Sequence, residues 1–382
     1  MSKQVLRAEL QTLLQLSHPK ISLEAFETTL QSITTSFDWT YFVERAIATN
    51  LAGYLLPHPE IAEKYYPDNV LQKIKSYQQR ILLHSLQLLE GVQILHEALK
   101  ALAIDHAFLK GCSLLIKKEA QFKSRQVSDI DLLIDPAKQT QVIEILQGLG
   151  ANVKTVIYKS EWHAKQQLEH APIQAVLFGL CIDVHIRLFR VDTNYQIDTP
   201  ELLKNVVFHP LDSTTVPLLS TQEAQLFTIL HAYKHLHAGS AFKVSSVNDL
   251  NNMNWRELAP LAQKWQANKA FQEMQKFTQT WFEGAYTQTF LGQTVLHFLT
   301  NSPLLLTEKA IFLKRRLFNI NGSVLHPKHI VFNAFPQKTY LNSYFGPGPY
   351  LFIWWRRTKN LFRFWINPNG KAIDAHGQSN QK

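Results

Sequence analysis

The sequence has little cysteine and no long apolar run. Only Cys112 and Cys181 occur in 382 residues, which excludes a disulfide framework and is typical of a reducing compartment. No apolar run reaches the roughly 20 residues that a membrane-spanning helix needs; the run at 350–355 is too short. The N-terminus lacks the apolar core and the small-residue cleavage site of a signal peptide. These absences predict a cytoplasmic protein without a membrane span.

Acidic residues are also scarce relative to basic ones. Asp and Glu number 30 against 39 Lys and Arg, which gives a net charge of +9. Such a charge favours anionic partners, whether nucleotides, nucleic acid or a membrane surface, without choosing among them. The chain has no internal repeat, and the polar tail from Asn367 is predicted to be disordered. The length favours two or three domains.

Helical periodicity dominates both ends of the chain. Residues 1–104 show apolar stripes of helical spacing, including a long periodic run at 70–102. Helices resume after Pro217, where Ser220 and Glu223 fit a capping box. We expect the first of these parts to be a scaffold without chemistry.

Between these helical parts the pattern changes to that of strands. A short strand at 106–109 ends in Lys110–Gly111, where glycine permits a tight turn and close backbone approach. A helix is expected from Ser113 to about residue 122. The next strand, 127–134, places Asp129 and Asp131 on one face. Because neighbouring carboxylates repel each other, this pair predicts a bound cation.

A later strand supplies a candidate third carboxylate. Further strands are expected at 153–158, 175–178 and 180–189. In the last of these, Asp183, His185 and Arg187 alternate with apolar residues and therefore share a face. A strand with this pattern normally faces a site or water.

These residues match the needs of phosphoryl or nucleotidyl transfer, which requires held phosphates, a divalent metal and an oriented hydroxyl. Gly111 before a helix N-terminus, with the Ser113 hydroxyl, can bind phosphate. Asp129 and Asp131 can hold Mg²⁺ or Mn²⁺ through oxygen ligands. Asp183 can complete the metal site or act as the base that deprotonates the hydroxyl.

The order strand–LKG–helix, SDIDLLID and a strand with IDVH resembles the nucleotidyltransferase superfamily built on a DNA polymerase β-like palm. In particular it is similar to a bacterial family of uncharacterised nucleotidyltransferases, over most of the chain. The matching residues are Lys110, Gly111, Arg125, Asp129, Asp131, Asp183, His185, His231, His235 and Trp255. The resemblance implies an α+β fold, with a small mixed β-sheet palm flanked by helical regions, and metal-dependent nucleotidyl transfer.

The changes from helical to strand pattern and back along the chain predict a domain division. We expect an N-terminal helical region (1–104), the palm (105–216), a C-terminal helical domain (217–325) and an aromatic-basic segment (326–382). Two departures from the superfamily stand out. Cys112 follows the glycine where Ser or Gly is common, so Ser113 would take over its role, and the interval from Gly111 to Asp129 is longer than in antibiotic-adenylating or tRNA-end enzymes.

Two cations near the motif have two interpretations each. Lys110 and Arg125 can contact phosphate, for which Arg is well suited, or form structural ion pairs with the acids. His185 is expected to orient Asp183 or to pack in the site wall rather than act as a base.

On the helix after Pro217, His231, Lys234 and His235 are candidates for acceptor contacts or for the site wall. Zinc is not expected, because the sequence has no H-E-x-x-H pattern and no cysteine nearby. Asp249 is a candidate partner for one of these histidines.

The leading hypothesis is transfer of a nucleoside monophosphate from an NTP, with ATP expected, to a hydroxyl of a small molecule, sugar or protein, with release of pyrophosphate. The alternative is a catalytically inactive module that binds a nucleotide or a partner. RNA-directed transfer is placed last, because no RNA-recognition motif is present; no DNA partner is expected. The aromatic-basic segment is interpreted as docking on the C-terminal helical domain, ahead of RNA or membrane binding.

Overall fold

The computed structural model describes residues 6–117, 124–158, 160–165, 169–190, 193–238, 243–251, 253–300 and 335–366. Several expectations fall outside these ranges: the predicted helix at 118–122, the predicted C-terminal helical domain at 301–325, the predicted aromatic-basic segment at 326–334, and the disordered tail from Asn367. No helix in the described ranges is long and apolar enough to cross a membrane.

The N-terminal part is helical, as the apolar stripes predict. Its helices are α1 (Ala8–Leu16), α2 (Leu23–Gln31), α3 (Trp39–Ala48), α4 (Pro59–Tyr65) and α5 (Asp68–Ala101), with a short 3₁₀ turn at Ala52–Tyr54. Ser22 and Asp38 cap α2 and α3 by accepting backbone N–H groups. Helix α5 begins after Pro67, where a missing N–H is harmless.

One mixed seven-stranded sheet follows. Its strands are β1 (His106–Leu109), β2 (Asp129–Ile134), β3 (Asn152–Thr155), β4 (Ile173–Leu177), β5 (Leu180–His185), β6 (Val207–Leu211) and β7 (Thr214–Leu218), in the order β3-β4-β5-β2-β1-β7-β6. Strands β2 and β5 pair in parallel at its centre, as do β1 and β7. The helices inserted among the strands are α6 (Lys110–Ile116), α7 (Gln139–Gly148), α8 (Glu161–Lys165) and α9 (Thr199–Lys204).

The C-terminal part returns to helices. They are α10 (Thr221–Ala238), a 3₁₀ segment (Val244–Leu250), α11 (Trp255–Lys264), α12 (Asn268–Phe282), α13 (Phe290–Thr300), α14 (Lys338–Phe345) and α15 (Tyr350–Ile366). The expected capping box opens α10: the Ser220 backbone N–H donates to Glu223, and the Glu223 N–H donates to the Ser220 hydroxyl.

The sheet lies between two apolar cores. Ile130, Leu132 and Ile134 face one core, which α7 and the second half of α5 complete. Leu133 faces the other, which joins the N-terminal helices to α10–α13. This alternation follows from the two-residue period of a strand. The α+β class, with a mixed sheet flanked by helices, is confirmed.

Several strand predictions need correction. The predicted strand at 180–189 ends at His185, so Arg187 lies beyond it. Of the other four predicted strands, 106–109 agrees with the structure, and the bounds of the remaining three differ by one to three residues. Strands β6 and β7 form a hairpin that the sequence pattern did not reveal. Each contains a proline, Pro210 or Pro217, which removes a donor and is unfavourable in strand patterns.

The described part of the aromatic-basic segment, residues 335–366, forms two helices, and its docking on the C-terminal helical domain stays a prediction. Its buried residues Tyr340, Leu341 and Ile353 form a small core of their own between α14 and α15. The Gln337 amide donates to the Tyr158 carbonyl at 2.7 Å. The α14–α15 hairpin therefore lies beside the loop that follows β3.

Candidate metal and nucleotide site

Three carboxylates converge at the centre of the sheet. The parallel pairing of β2 with β5 places Asp131 opposite Asp183, and Asp129 lies two residues earlier on the same face. One ligand atom from each of the three lies within 4.8 Å of the others. The convergence is a direct result of strand register.

Asp131 is the buried member of this triad, with 2% of its surface exposed. Its Oδ1 accepts from Lys110 Nζ at 2.6 Å and contacts His185 Nε2 at 2.8 Å. Burial alone would raise the pKa of Asp131, but Lys110 and His185 outweigh it and lower the pKa to about 2. This carboxylate is therefore ionised at neutral pH. His185 contacts Asp131 rather than Asp183, which corrects the first of its two interpretations, and it also lies in the wall of the cavity, as the second has it.

Asp183 and Asp129 are more open to the cavity. The Gln174 amide, on the neighbouring strand β4, donates to Asp183 Oδ1 at 3.1 Å. Burial and the charges of Asp131 and Asp129 raise the pKa of Asp183. The Ser128 hydroxyl donates to Asp129 Oδ1 at 2.8 Å. Negative charge is thus in excess at this end of the cavity.

The triad fits a divalent cation. Carboxylate oxygens are the ligands that Mg²⁺ and Mn²⁺ prefer, and the raised pKa of Asp183 shows that a further positive charge would be favourable. Within the described part of the chain, the triad is the cluster of at least three His, Cys, Asp or Glu side chains whose ligand atoms are close enough to share one metal ion.

The turn before α6 differs from the expected one. Lys110, not Gly111, has the left-handed backbone, with φ of 50°, a strained conformation for a residue with a side chain. At Gly111 the constraint is close packing, because a Cβ there would lie 2.6 Å from Val127 Cγ1. Helix α6 begins at Lys110 rather than at Ser113.

Ser113 lies away from the triad. It is buried, and its hydroxyl donates to the Lys110 carbonyl one turn back at 2.8 Å. It lines a separate cavity of about 180 Å³ rather than the one that contains the carboxylates. Cys112 is buried as well, and its thiol donates to the Asp129 carbonyl at 3.4 Å. Neither side chain lines the cavity that contains the triad.

Arg125 and Asp249 form an ion pair, at 2.9 Å between Nη2 and Oδ2, with only 11% and 10% of the two side chains exposed. Asp249 was expected to pair with a histidine, and this expectation is wrong. The pair lies in the wall of the triad's cavity. Asp249 therefore holds Arg125 in place.

Lys243 is a cation of the site that the sequence did not indicate. Its Nζ donates to the Ser128 hydroxyl at 2.8 Å, one residue from Asp129. Burial and the nearby charges of Arg125 and Lys110 lower its pKa, while Asp129 acts in the opposite direction. A lone lysine in a loop gives no pattern from which this position could be predicted.

Helix α10 forms another wall. His231 and His235 are in contact, with 3.2 Å between their Nε2 atoms, and Lys234 Nζ lies 3.5 Å from His170 Nε2. Burial, Lys234 and Lys110 lower the pKa of His235 to about 3; burial, Lys110 and His235 lower that of His231 well below its usual range. Both imidazoles are therefore neutral at physiological pH. His170 is a second residue that the sequence did not indicate.

The triad, the cations around it and the residues of α10 line one cavity of about 570 Å³; Ser113 and Cys112 do not. The triad lies on one side and α10 on the other, and the loop after β3 with Tyr340 of α14 completes the wall. The volume suits a small-molecule or nucleotide ligand. The predicted site residues Lys110, Gly111, Arg125, Asp129, Asp131, Asp183, His185, His231, Lys234 and His235 are all in this lining.

Comparison with known proteins gives one match. A family model described as "Uncharacterised nucleotidyltransferase" matches residues 35–283, a range that contains the whole sheet, the triad and α10. Searches of curated proteins and of solved structures each gave no match. Since the matched range covers more than half of the chain, the protein belongs to this uncharacterised nucleotidyltransferase family and is a transferase of nucleotidyl groups.

Proposed function

We propose that the protein transfers a nucleoside monophosphate from an NTP to a hydroxyl group of an acceptor and releases pyrophosphate. The observation that carries this proposal is the triad Asp129, Asp131 and Asp183, brought within 4.8 Å in a cavity large enough for a nucleotide. The family match supports the class of reaction.

The phosphates of the NTP would lie on the cationic side of the cavity. Lys110, Arg125 and Lys243 line it next to the acidic strand. Arg125 is fixed by Asp249 and Gln126, and a remaining N–H of its guanidinium can donate to a phosphate oxygen. Lys243 donates to a neutral hydroxyl in this structure, a contact that it can exchange for a phosphate oxygen.

Asp129, Asp131 and Asp183 would hold a divalent metal. Mg²⁺ or Mn²⁺ bound there would neutralise phosphate charge and polarise the attacked phosphorus. Lys110 and His185 keep Asp131 ionised and oriented for this role, and Gln174 orients Asp183.

The chemical step is an in-line displacement. The acceptor oxygen forms a bond to the α-phosphorus, and the bond from that phosphorus to the bridging oxygen of pyrophosphate breaks. Asp183 is the side chain that we assign to accept the hydroxyl proton, since it is less buried than Asp131 and its pKa is raised. Pyrophosphate leaves with the electron pair of the broken bond.

The acceptor would bind on the side of α10. His231, His235 and His170 present neutral imidazoles there, with Lys234 among them. Neutral imidazoles both donate and accept hydrogen bonds, which suits a hydroxyl-rich acceptor better than a polyanion. This favours a small molecule or sugar, or a protein side chain that reaches the cavity.

The proposal is tested by incubating the protein, Mg²⁺ and a cell extract with ATP labelled either at the α- or at the γ-phosphate. Nucleotidyl transfer predicts that an acceptor gains the α-label and that the γ-label leaves as pyrophosphate. Parallel reactions with the other three NTPs identify the base. Gain of the γ-label by the acceptor would overturn the proposal, and ATP binding without any release of pyrophosphate would support the inactive module instead.

A further inference from the structure

Helix α15 carries an exposed apolar face at its start. Leu351, Phe352 and Trp355 have 75%, 56% and 59% of their surfaces exposed. Phe352 follows Leu351 directly, and Trp355 comes three residues after Phe352 and four after Leu351. This spacing places all three side chains on the same side of the helix. Contiguous exposed apolar groups of this kind mark an interaction surface.

The opposite face of the helix is already packed. Ile353 is fully buried against Tyr340 and Leu341 of α14. The helix is therefore positioned by its inner face, while Leu351, Phe352 and Trp355 point away from that contact. They are not needed to hold α15 on α14.

Positive charge accompanies this face. Residues 335–366 contain five Lys or Arg and no Asp or Glu. Arg356 and Lys359 are exposed on the same side of the helix, and the Arg356 guanidinium lies over the Phe352 ring at 5.5 Å from its centroid. An apolar strip with cations beside it is complementary to a surface that is both apolar and anionic.

We infer that α15 binds the surface of an anionic lipid membrane, lying in the plane of the interface. A helix with Leu, Phe and Trp on one side and Arg and Lys beside them is the type that inserts its apolar residues at the boundary of headgroups and acyl chains. Tryptophan favours this depth, and basic residues add attraction to anionic headgroups.

A lipid surface fits these residues better than RNA does. Single-stranded RNA is held by aromatic rings on which bases stack. Leu351, the most exposed residue of the face, cannot stack, and the Phe352 ring is already covered on one side by Arg356. Insertion into lipid, by contrast, makes use of all three apolar side chains.

The inference is tested by sedimenting the full chain with vesicles of neutral phosphatidylcholine alone and with phosphatidylserine added. We expect binding to the phosphatidylserine vesicles that weakens as salt is raised, because salt screens the attraction to headgroups. Replacing Leu351, Phe352 and Trp355 together by serine should weaken this binding by about tenfold or more, through the loss of inserted apolar surface.

The matched control replaces two exposed phenylalanines of the sheet region, Phe178 and Phe208, by serine; they have 73% and 60% of their surfaces exposed. This variant should bind vesicles like the unmodified chain, and thermal unfolding checks that both variants fold. Equal binding by the triple variant, or no preference for phosphatidylserine, would overturn the inference. So would a chain that ignores vesicles but binds an RNA oligonucleotide through the same three residues. Pyrophosphate release in solution does not depend on this surface. A negative vesicle experiment would therefore refute membrane binding without refuting the proposed function, and the reverse also holds.

Discussion

At the residue scale, Asp131 is the best-defined group of the site. It is buried between an ammonium group and an imidazole, and both contacts are shorter than 3 Å. Removing water from a carboxylate is unfavourable unless charge and hydrogen bonds replace it. Lys110 and His185 provide this replacement and leave Asp131 as an ionised oxygen ligand at neutral pH.

This arrangement predicts a pH dependence of stability. Because the pKa of Asp131 is lowered to about 2 in the folded protein from its usual 3.8, its contribution is fully present above about pH 4 and is lost as the pH falls towards about 2. We expect the difference in free energy of unfolding between the native chain and Asp131→Asn to shrink by on the order of 2 kcal/mol across that window. Urea unfolding at several pH values, with metal-free buffers, measures it. A constant difference would contradict the assigned pKa.

Lys243 leads to a prediction about nucleotide binding. If Lys243 binds phosphate, Lys243→Gln should raise the KM for the NTP by about tenfold, since a hydrogen bond to a charged group contributes about 1.5–3 kcal/mol, while stability changes little. Lys264→Gln, which removes an exposed lysine paired with Glu201, is the matched control and should leave KM unchanged. Steady-state kinetics with a saturating acceptor tests this; the same KM in both variants would exclude Lys243 from the phosphate site.

At the scale of elements, much of the site follows from one strand pair. The two-residue period of β2 and of β5 was enough to predict that Asp129 and Asp131 share a face, and that Asp183 alternates in the same way. Which strand β5 pairs with could not be read from the sequence, because register depends on contacts between residues far apart in the chain. The resemblance to the nucleotidyltransferase family matched Asp183 to the site without predicting this pairing.

The turn between β1 and α6 is the element where glycine is decisive. Gly111→Ala should lower the free energy of unfolding by about 1–3 kcal/mol, because the new methyl group overlaps Val127. In a Val127→Ala background the same substitution should have a smaller effect. Gly148→Ala, at a helical position with nothing within 4 Å of the new Cβ, is the control and should be neutral or slightly stabilising. Chemical denaturation measures all four variants; an equal effect of Gly111→Ala in both backgrounds would refute the packing argument.

At the scale of the whole molecule, the cavity lies where three separate parts of the chain meet. The sheet provides the triad, α10 and the 3₁₀ segment provide the opposite wall, and α14 adds Tyr340. Sequence reasoning identified residues that belong to motifs, such as His231 and His235 on one helix face. It did not find Lys243 or His170, because both lie in loops and are brought to the site only by tertiary packing.

For the N-terminal helices too, the sequence predicted local structure but not tertiary contacts. Their apolar periodicity predicted helices but not their partner, and the structure joins them to α10–α13 in one apolar core. Neither set of helices completes that core by itself. The palm is thus held between helices from both ends of the chain, and this fixes the wall that faces the triad.

The most direct test measures pyrophosphate release from an NTP in the presence of Mg²⁺ and of the extract fraction that contains the acceptor. It compares the native chain with the double variant Asp129→Asn, Asp131→Asn. The account predicts that turnover falls to background in the double variant, because the metal ligands are lost. Asp212→Asn is the matched control: it lies in the β6–β7 turn with φ of 49°, which asparagine tolerates, and it should retain full turnover. Mg²⁺-dependent release that survives in the double variant would contradict the assignment of the site.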